Sequence, residues 1–321
     1  MCDIIPEKAA AIAERFHVPA FEDMDVMMES VRPDAVVVLT PSGDHAAHTI
    51  RLAKHEVPVV VEKPMALTLA DADAMIRACD ENGCRLFVVK QNRFNVPVVR
   101  VREALESGRF GRMVMGTVRV RWCRRQEYYD QASWRGTWAE DGGVLANQAS
   151  HHVDLLEWMM GDPISVFAKA STALVDIEAE DTAVVVLRFA SGALGVIEAT
   201  TATRPTDLEG SLSLLGENGT AVVGGFAVNE LTTWRFDDEG EADEEIRKKS
   251  SVNPPNVYGF GHQAYLEHVV ECLASGGPAL VDGLEGRRSL ELITAIYESI
   301  ETGREVPLRF APSRARLGRQ S

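Results

Sequence analysis

The chain has 321 residues, 45% hydrophobic and 25% charged, the balance of an ordinary globular protein of about two domains. Its 33 Lys+Arg against 48 Asp+Glu leave a formal net charge of −15, which argues against a nucleic-acid binder, and its apolar runs fall far short of the ~18 residues of a membrane span. The five cysteines are odd in number and never spaced C-x-x-C, so neither a disulfide frame nor a zinc knuckle is expected, and the chain reads as a cytoplasmic protein with reduced thiols.

In chain order, residues 6–16 predict a helix opening on Pro6. Residues 35–40 (AVVVLT) are a short β-branched run that suits a strand buried on both faces. A helix comes next, with Asp44 as its N-cap and Ala46, Ile50, Leu52 and Ala53 on its inner face. Residues 58–61 give the next strand, 69–82 a helix stopped by Gly83, and 86–89 another strand. Strands alternating with helices imply right-handed crossovers and a parallel sheet, part of a doubly wound α/β domain. Past Arg93 the texture changes. A helix over 96–107 precedes a long alternating strand over 113–124, then a loop rich in Tyr, Trp and Arg. A helix is expected to start near Gly142–Gly143 and to run to Met160. Strands are expected over 164–174, 182–189, 194–199, 210–215, 221–223 and 231–236, then helices over 261–274 and 283–302. Seven acids crowd into 237–245, with Arg247, Lys248 and Lys249 behind them, and read as a solvated hairpin loop. The arginine-rich tail over 311–321 is expected to fray. The pattern predicts a Rossmann-type doubly wound domain over 1–93 and an α+β domain over 94–321 with one large, mostly antiparallel open sheet.

Three segments stand directly after predicted parallel strands: Thr40-Pro41 with His45 beyond it, Glu62-Lys63-Pro64, and Gln91-Asn92-Arg93. Ligands of open α/β sheets bind at the carboxyl ends of strands, so all three are candidates to line one crevice. Lys63, directly behind Val59-Val60-Val61, is partly desolvated, which lowers its pKa and suits proton exchange. The alternative is a plain rim pair of Lys63 with Glu62.

A second constellation runs from Gly142 to Asp154. On a helix Asn147 and His151 stand at i and i+4 and share a face, as do Gln148 and His152. An imidazole beside an amide suits acid–base work near neutral pH; the alternative is one histidine in the core and the other in solvent. No Cys or carboxylate at ligand spacing accompanies them, so no metal site is expected.

Together, T-P-x-x-x-H at Thr40 to His45, E-K-P at Glu62 to Pro64 and the Gly-Gly…His…Asp stretch resemble the glucose–fructose oxidoreductase and inositol dehydrogenase (Gfo/Idh/MocA) family. The resemblance implies a dinucleotide-binding Rossmann domain, with Thr40, Pro41, His45, Glu62, Lys63 and Gln91 on the cofactor, and a substrate domain whose open sheet serves oligomerisation. It places Lys63 and His151 at the substrate hydroxyl. Asn147 stands where the family usually carries Asp, so proton transfer must rest on Lys63 or His151. The stretch over 88–138 further resembles dehydrogenases that oxidise C3 of UDP-N-acetylglucosaminuronate for surface polysaccharides. Within it Arg121, Arg124, Arg125, Tyr129 and Arg135, with Gln148 and His152, are the candidate substrate contacts. A diphosphate and a uronate need bidentate cations, and a uracil needs a flat face. A solvated strand face with a Trp/Tyr core is the alternative, and by alternation Arg119 shares one face with Arg121. The implied partners are a nucleotide sugar and further copies of the chain in a dimer or tetramer. A free-sugar or cyclitol dehydrogenase and a catalytically silent ligand-binding member remain open.

Asp3 reads as the acid that ends a second Rossmann strand and bonds the adenosine ribose, favouring NAD over NADP. Such a domain opens with a strand and G-x-G-x-x-G, yet the only glycine before Leu67 is Gly43. The sequence is therefore expected to be N-terminally incomplete and, as written, to bind NAD poorly. An in-frame upstream extension of roughly 30–40 residues carrying that turn is the expected finding.

Overall fold

The computed structural model describes residues 1–250 and 260–308; the tail over 311–321 lies outside them. The chain divides into two compact units, the first built from residues 1–90, 139–141 and 265–290.

In the first unit, α1 (Pro6–Phe16) starts on its proline, and α2 (Met24–Val31) is capped by Asp23, whose carboxylate accepts from the amides of Asp25 and Val26. The sequence reading does not contain α2, because its eight residues are too few to show a period. The strands are β1 (Val36–Val38), then β2 (Val59–Val61) after α3 (His45–Ala53), then β3 (Leu86–Val88) after α4 (Leu69–Glu81). They pair in parallel in the order β1-β2-β3, with Val36 opposite Val59 and Val59 opposite Leu86. The central β2 is buried at all three positions, whereas Val37 on β1 is 45% exposed. The Thr68 hydroxyl accepts from the Asp71 amide to start α4, and Gly83 at φ +63° stops it. Asp44 caps nothing with its side chain, since it belongs to a 3₁₀ turn, Ser42–Asp44, that feeds α3.

Residues 265–290, expected in the second domain, pack onto this sheet instead. The Val88 amide donates to the Val281 carbonyl at 3.2 Å, and the Arg85 guanidinium donates to the carbonyls of Cys272 and Gly277. Val281 and Leu290 join the same apolar core, and Arg287 pairs with Asp73. The outer edge of β3 thereby finds a partner.

In the second unit, the chain runs through a 3₁₀ turn (Gln91–Phe94), α5 (Val96–Glu106), β4 (Met113–Arg121), the short α6 (Gln126–Tyr129) and α7 (Ser150–Met160). It continues through β5 (Pro163–Ser171), β6 (Thr182–Phe189), β7 (Leu194–Thr200), β8 (Glu209–Gly216), β9 (Gly219–Gly224) and β10 (Glu230–Phe236) to α8 (Glu241–Lys249). Most of α9 (Gly261–Ser275) and the start of α10 (Gly283–Thr302) belong to the first unit, and the rest of α10 and β11 (Val306–Pro307) to the second. The sheet has eight strands in the order β10-β9-β8-β4-β7-β6-β5-β11, antiparallel throughout except for the parallel pair β4–β7. Val118 and Val120 of β4, Val185 of β6, Ile197 of β7 and Leu214 of β8 form a core with Val153 and Leu156 of α7 and Ile296 of α10. A Cβ at Gly116 would come within 2.7 Å of Leu156 and Met160, so the glycine lets α7 lie close on the sheet. The alternation that buries Val118 and Val120 puts Arg119 and Arg121 on the opposite face.

The acidic run is not a hairpin loop, because most of its second half is α8. Asp243 accepts from the Gly240 amide, the Trp234 indole and the Arg109 guanidinium, which also pairs with Asp238. Arg109 above all holds the Asp243 carboxyl well below its ordinary range. A partly buried cation distant in sequence thus turns part of a like-charged run into a capped helix.

Candidate active site

In the first unit the loops that end β1 and β2 are tied together by His45. Its Nδ1 lies 2.7 Å from the Pro64 carbonyl and its Nε2 2.9 Å from that of Thr40, and the ring is 1% exposed. Burial lowers its pKa, and the two carbonyls oppose that shift. His45, a candidate cofactor contact by sequence, is therefore the brace of the strand-end loops. The Glu62 carboxylate accepts from the Lys63 amide at 2.8 Å, which turns the loop back on itself, and the Lys63–Pro64 peptide is cis. The Thr40 hydroxyl meets His48 Nδ1 at 3.0 Å, and Pro41 leads into the 3₁₀ turn. Asp3 closes a short extended stretch bridged to Phe21, and its Oδ1 accepts from the Ile5 amide at 2.9 Å.

In the second unit two contacts join the 3₁₀ turn to α7. Gln91 Nε2 stands 3.1 Å from His151 Nε2, and the Arg93 guanidinium grips Asp154 with two bonds of 2.8 Å. Arg93 also lies over the Trp158 ring at 4.8 Å. Both charges are almost wholly buried, and deleting one partner of such a pair costs about 3–5 kcal/mol because the other charge is stranded. The spacing of two along the turn and three along the helix sets the register that brings Gln91 to His151.

The helix expected from Gly142 begins only at Ser150, so Asn147 and His151 do not share a helical face, nor do Gln148 and His152. The segment before the helix is held by Glu180. Its backbone carbonyl accepts from Val144 N–H and its Oε1 from Leu145 N–H, both at 2.9 Å, which ties two successive amides to a residue far along the chain. Asn147 therefore sits in the turn before the helix and is half-buried, while Gln148 is buried.

His152, a candidate substrate contact by sequence, is sealed in the core. It is 0% exposed, meets the Trp122 ring edge-on at 5.8 Å, and neither ring nitrogen has a hydrogen-bond partner among the described residues. Burial alone pushes its pKa down to about 4. The unfolded chain, with an ordinary histidine near 6.5, takes up the proton first, so this contribution to stability is complete above about pH 6.5 and is lost as pH falls towards 4. We expect the thermal midpoint of the wild type to fall more steeply from pH 7 to pH 5 than that of His152→Leu. Parallel curves for the two proteins would contradict the buried, neutral ring.

The arginine-rich segment divides. Arg121 is engaged bidentately by Glu198 at 2.6 and 2.8 Å on the open face of the sheet, which removes it from the candidate substrate contacts. Tyr129 is buried, its hydroxyl is 3.0 Å from that of Thr201, and burial raises its pKa to about 12, so it too is a packing residue. Arg124 and Arg135 instead converge on one ring, with their guanidinium carbons 5.4 and 4.3 Å from the centre of Tyr128. Arg135 also lies over Trp134, and Arg124 reaches Asp207. Arg204, which the sequence reading does not single out, donates to the Arg124 carbonyl at 3.1 Å. Arg125 is exposed. The result is a cluster of cations and flat rings. Among the described residues no three His, Cys, Asp or Glu side chains form a metal-binding group, and no helix is long and apolar enough to cross a membrane.

Residues 1–90 match the family described as an oxidoreductase NAD-binding Rossmann fold, and residues 102–308 match that family's C-terminal alpha/beta domain. Among solved structures, the chain is 46% identical to the WlbA dehydrogenase of Bordetella pertussis, crystallised with NADH and UDP-GlcNAcA. The TM-score is 0.91, and 97% of this chain and 89% of that one are covered. The WlbA dehydrogenase of Chromobacterium violaceum, with the same two ligands, is 42% identical, with a TM-score of 0.90 and coverage of 97% and 88%. The myo-inositol 2-dehydrogenase of Thermotoga maritima is 29% identical over 95% of this chain and 89% of its own.

Proposed function

The chain belongs to the Gfo/Idh/MocA oxidoreductase family, and from that premise we propose that it oxidises a ring hydroxyl of a nucleotide sugar, C3 of UDP-N-acetylglucosaminuronate being our assignment. It is an oxidoreductase of hydroxyl groups and its cofactor is NAD. The observation that carries the substrate reading is the convergence of Arg124 and Arg135 on Tyr128, with Arg135 also over Trp134 and Arg204 bonded to the Arg124 carbonyl, in a chain with a net charge of −15. Guanidinium forks match a diphosphate or a uronate carboxylate, and an aromatic face matches uracil. Two relatives above 40% identity crystallised with UDP-GlcNAcA support the same reading. We assign the enzyme to the cytoplasm, in keeping with its five free cysteines, and to a homo-oligomer.

The residues present fit one part of a dinucleotide site. Asp3, ending an extended stretch just before α1, would bond the adenosine ribose, and the loops after β1 and β2 would carry Thr40, Pro41 and Lys63 to the rest. No G-x-G-x-x-G turn for the pyrophosphate occurs among the 321 residues. Bound NAD supplies the hydride acceptor. The substrate hydroxyl must lose a proton as its carbon loses hydride. With the Gln91 amide donating to His151 Nε2, the neutral imidazole carries its hydrogen on Nδ1 and offers a donor. Asn147 has no carboxylate to offer. These points favour Lys63, freed of its own proton, as the acceptor, with His151 holding the hydroxyl oxygen.

The test is NADH formation with UDP-N-acetylglucosaminuronate against myo-inositol. Turnover confined to the nucleotide sugar is expected, and turnover confined to the cyclitol would reassign the enzyme to the inositol branch. Arg124→Ala and Arg135→Ala are each expected to raise KM for the nucleotide sugar by a factor matching about 1.5–3 kcal/mol, the worth of a hydrogen bond to a charged group. Arg121→Ala, whose cation Glu198 already holds, should leave KM near wild type. A reversed order among these variants would refute the cluster as the diphosphate site.

A further inference from the structure

We propose that Glu180, paired with Tyr297, is a positioning residue that holds the turn from which Asn147 and His151 are presented; the inference rests on the dehydrogenase reading. Three successive amides are held by this pair. Gly143 N–H donates to the Tyr297 hydroxyl at 3.3 Å, Val144 N–H to the Glu180 carbonyl at 2.9 Å, and Leu145 N–H to Glu180 Oε1 at 2.9 Å. The Tyr297 hydroxyl donates to the same Oε1 at 3.0 Å, so the two side chains lock each other. Glu180 is 5% exposed, and the Tyr297 ring is held edge-on by Trp138 at 5.4 Å. Gly142 takes φ +76°, and a Cβ on Gly143 would overlap the Glu180 carboxyl, so the Gly-Gly pair is the backbone half of the same device.

The approach to α7 depends on this brace. Asn147 N–H donates to the Gly143 carbonyl and Ala149 N–H to the Val144 carbonyl at 2.7 Å, so braced residues are the acceptors for the turn that ends at Ser150. His151 is the second residue of α7 and inherits its position from that turn. Among the described residues, Glu180 Oε2 is buried with no hydrogen-bond partner. A buried carboxylate with no cation on that oxygen is costly, and burial first, then the charge of Asp181, lifts the Glu180 pKa to about 7. The brace works through an acceptor oxygen in the right place, and a carboxamide supplies one as well as a carboxylic acid.

The discriminating experiment compares E180Q, E180A and Y297F by amide hydrogen exchange and by steady-state kinetics. E180A should speed exchange at Leu145 by about tenfold, the worth of the one hydrogen bond the carboxylate accepts there, with Val144, which the Glu180 backbone carbonyl still holds, and β6 and β7 unchanged. Y297F should do so at Gly143 only. E180Q should exchange as wild type. In NADH formation with UDP-N-acetylglucosaminuronate, E180A should lose about tenfold or more in kcat with KM for NAD unchanged, and E180Q should restore kcat. E180A exchanging as wild type, or loosening the turn with kcat untouched, overturns the proposal; E180Q as damaging as E180A overturns the acceptor-geometry account. Should E180A not fold, Y297F carries the same test at Gly143. If the wild type reduces NAD with no nucleotide sugar, the substrate reading fails, while the exchange pattern still decides whether Glu180 holds the turn.

Discussion

Lys63→Met is expected to lower kcat by ~10²–10⁴, the range that a positioned acid–base group contributes. The substitution keeps the length and apolar stem of the side chain. It also spares the local frame, because the Glu62 carboxylate bonds the Lys63 backbone amide and His45 holds the neighbouring carbonyls of Thr40 and Pro64. The thermal midpoint should therefore stay near wild type, separating loss of chemistry from loss of fold. If Lys63 takes the hydroxyl proton it must first lose its own, so the rise of kcat/KM with pH in the wild type should vanish in the variant. Near wild-type turnover, or an unchanged pH limb, would move the base to another residue.

His151→Asn is expected to lower kcat by ~10²–10³, the cost of removing one well-placed donor to developing oxyanion charge. The Gln91 contact makes the sharper claim. If His151, with its Nε2 occupied by Gln91, serves as a donor and not as the base, the variant should keep the pH limb that Lys63→Met loses. Loss of the limb in His151→Asn and its survival in Lys63→Met would exchange the two roles. His152→Asn is the companion control. Its ring lies against Trp122 in the core, so the change should appear in stability, with kcat close to wild type among the molecules that remain folded. Equal kcat losses at both positions would mean that His152 reaches the substrate.

The alternation of valine-rich runs with amphipathic helices was legible because each strand and helix carries its own period. β1, β2 and β3 fall within the apolar runs that announced them, and α1, β6 and α10 match the sequence boundaries. Chemically loud motifs, E-K-P and the paired histidines, stand out for the same reason: their meaning lies in adjacent residues. Matters settled by partners far along the chain could not be decided from the sequence. Arg121 and Arg124 look alike in sequence, but Glu198, 77 residues past Arg121 and brought beside it by the β4–β7 pairing, grips the former with two bonds, whereas Asp207, 83 residues past Arg124, meets the latter through one nitrogen. Arg109 turns an acidic run into a helix through Asp243, 134 residues away. The clearest case is the segment before α7. Local spacing there reads as helix from Gly142, yet the helix starts only at Ser150, and the turn before it is held at Leu145 N–H by Glu180, 35 residues further along the chain. By itself the sequence determined most of the elements, though not α2 or α8, and which residues carry reactive groups, since periodicity and side-chain chemistry are local. How each arginine is paired, that both histidines are buried and where α7 begins were decided only by the tertiary structure, because buried charges and backbone amides must find partners and only the fold supplies them.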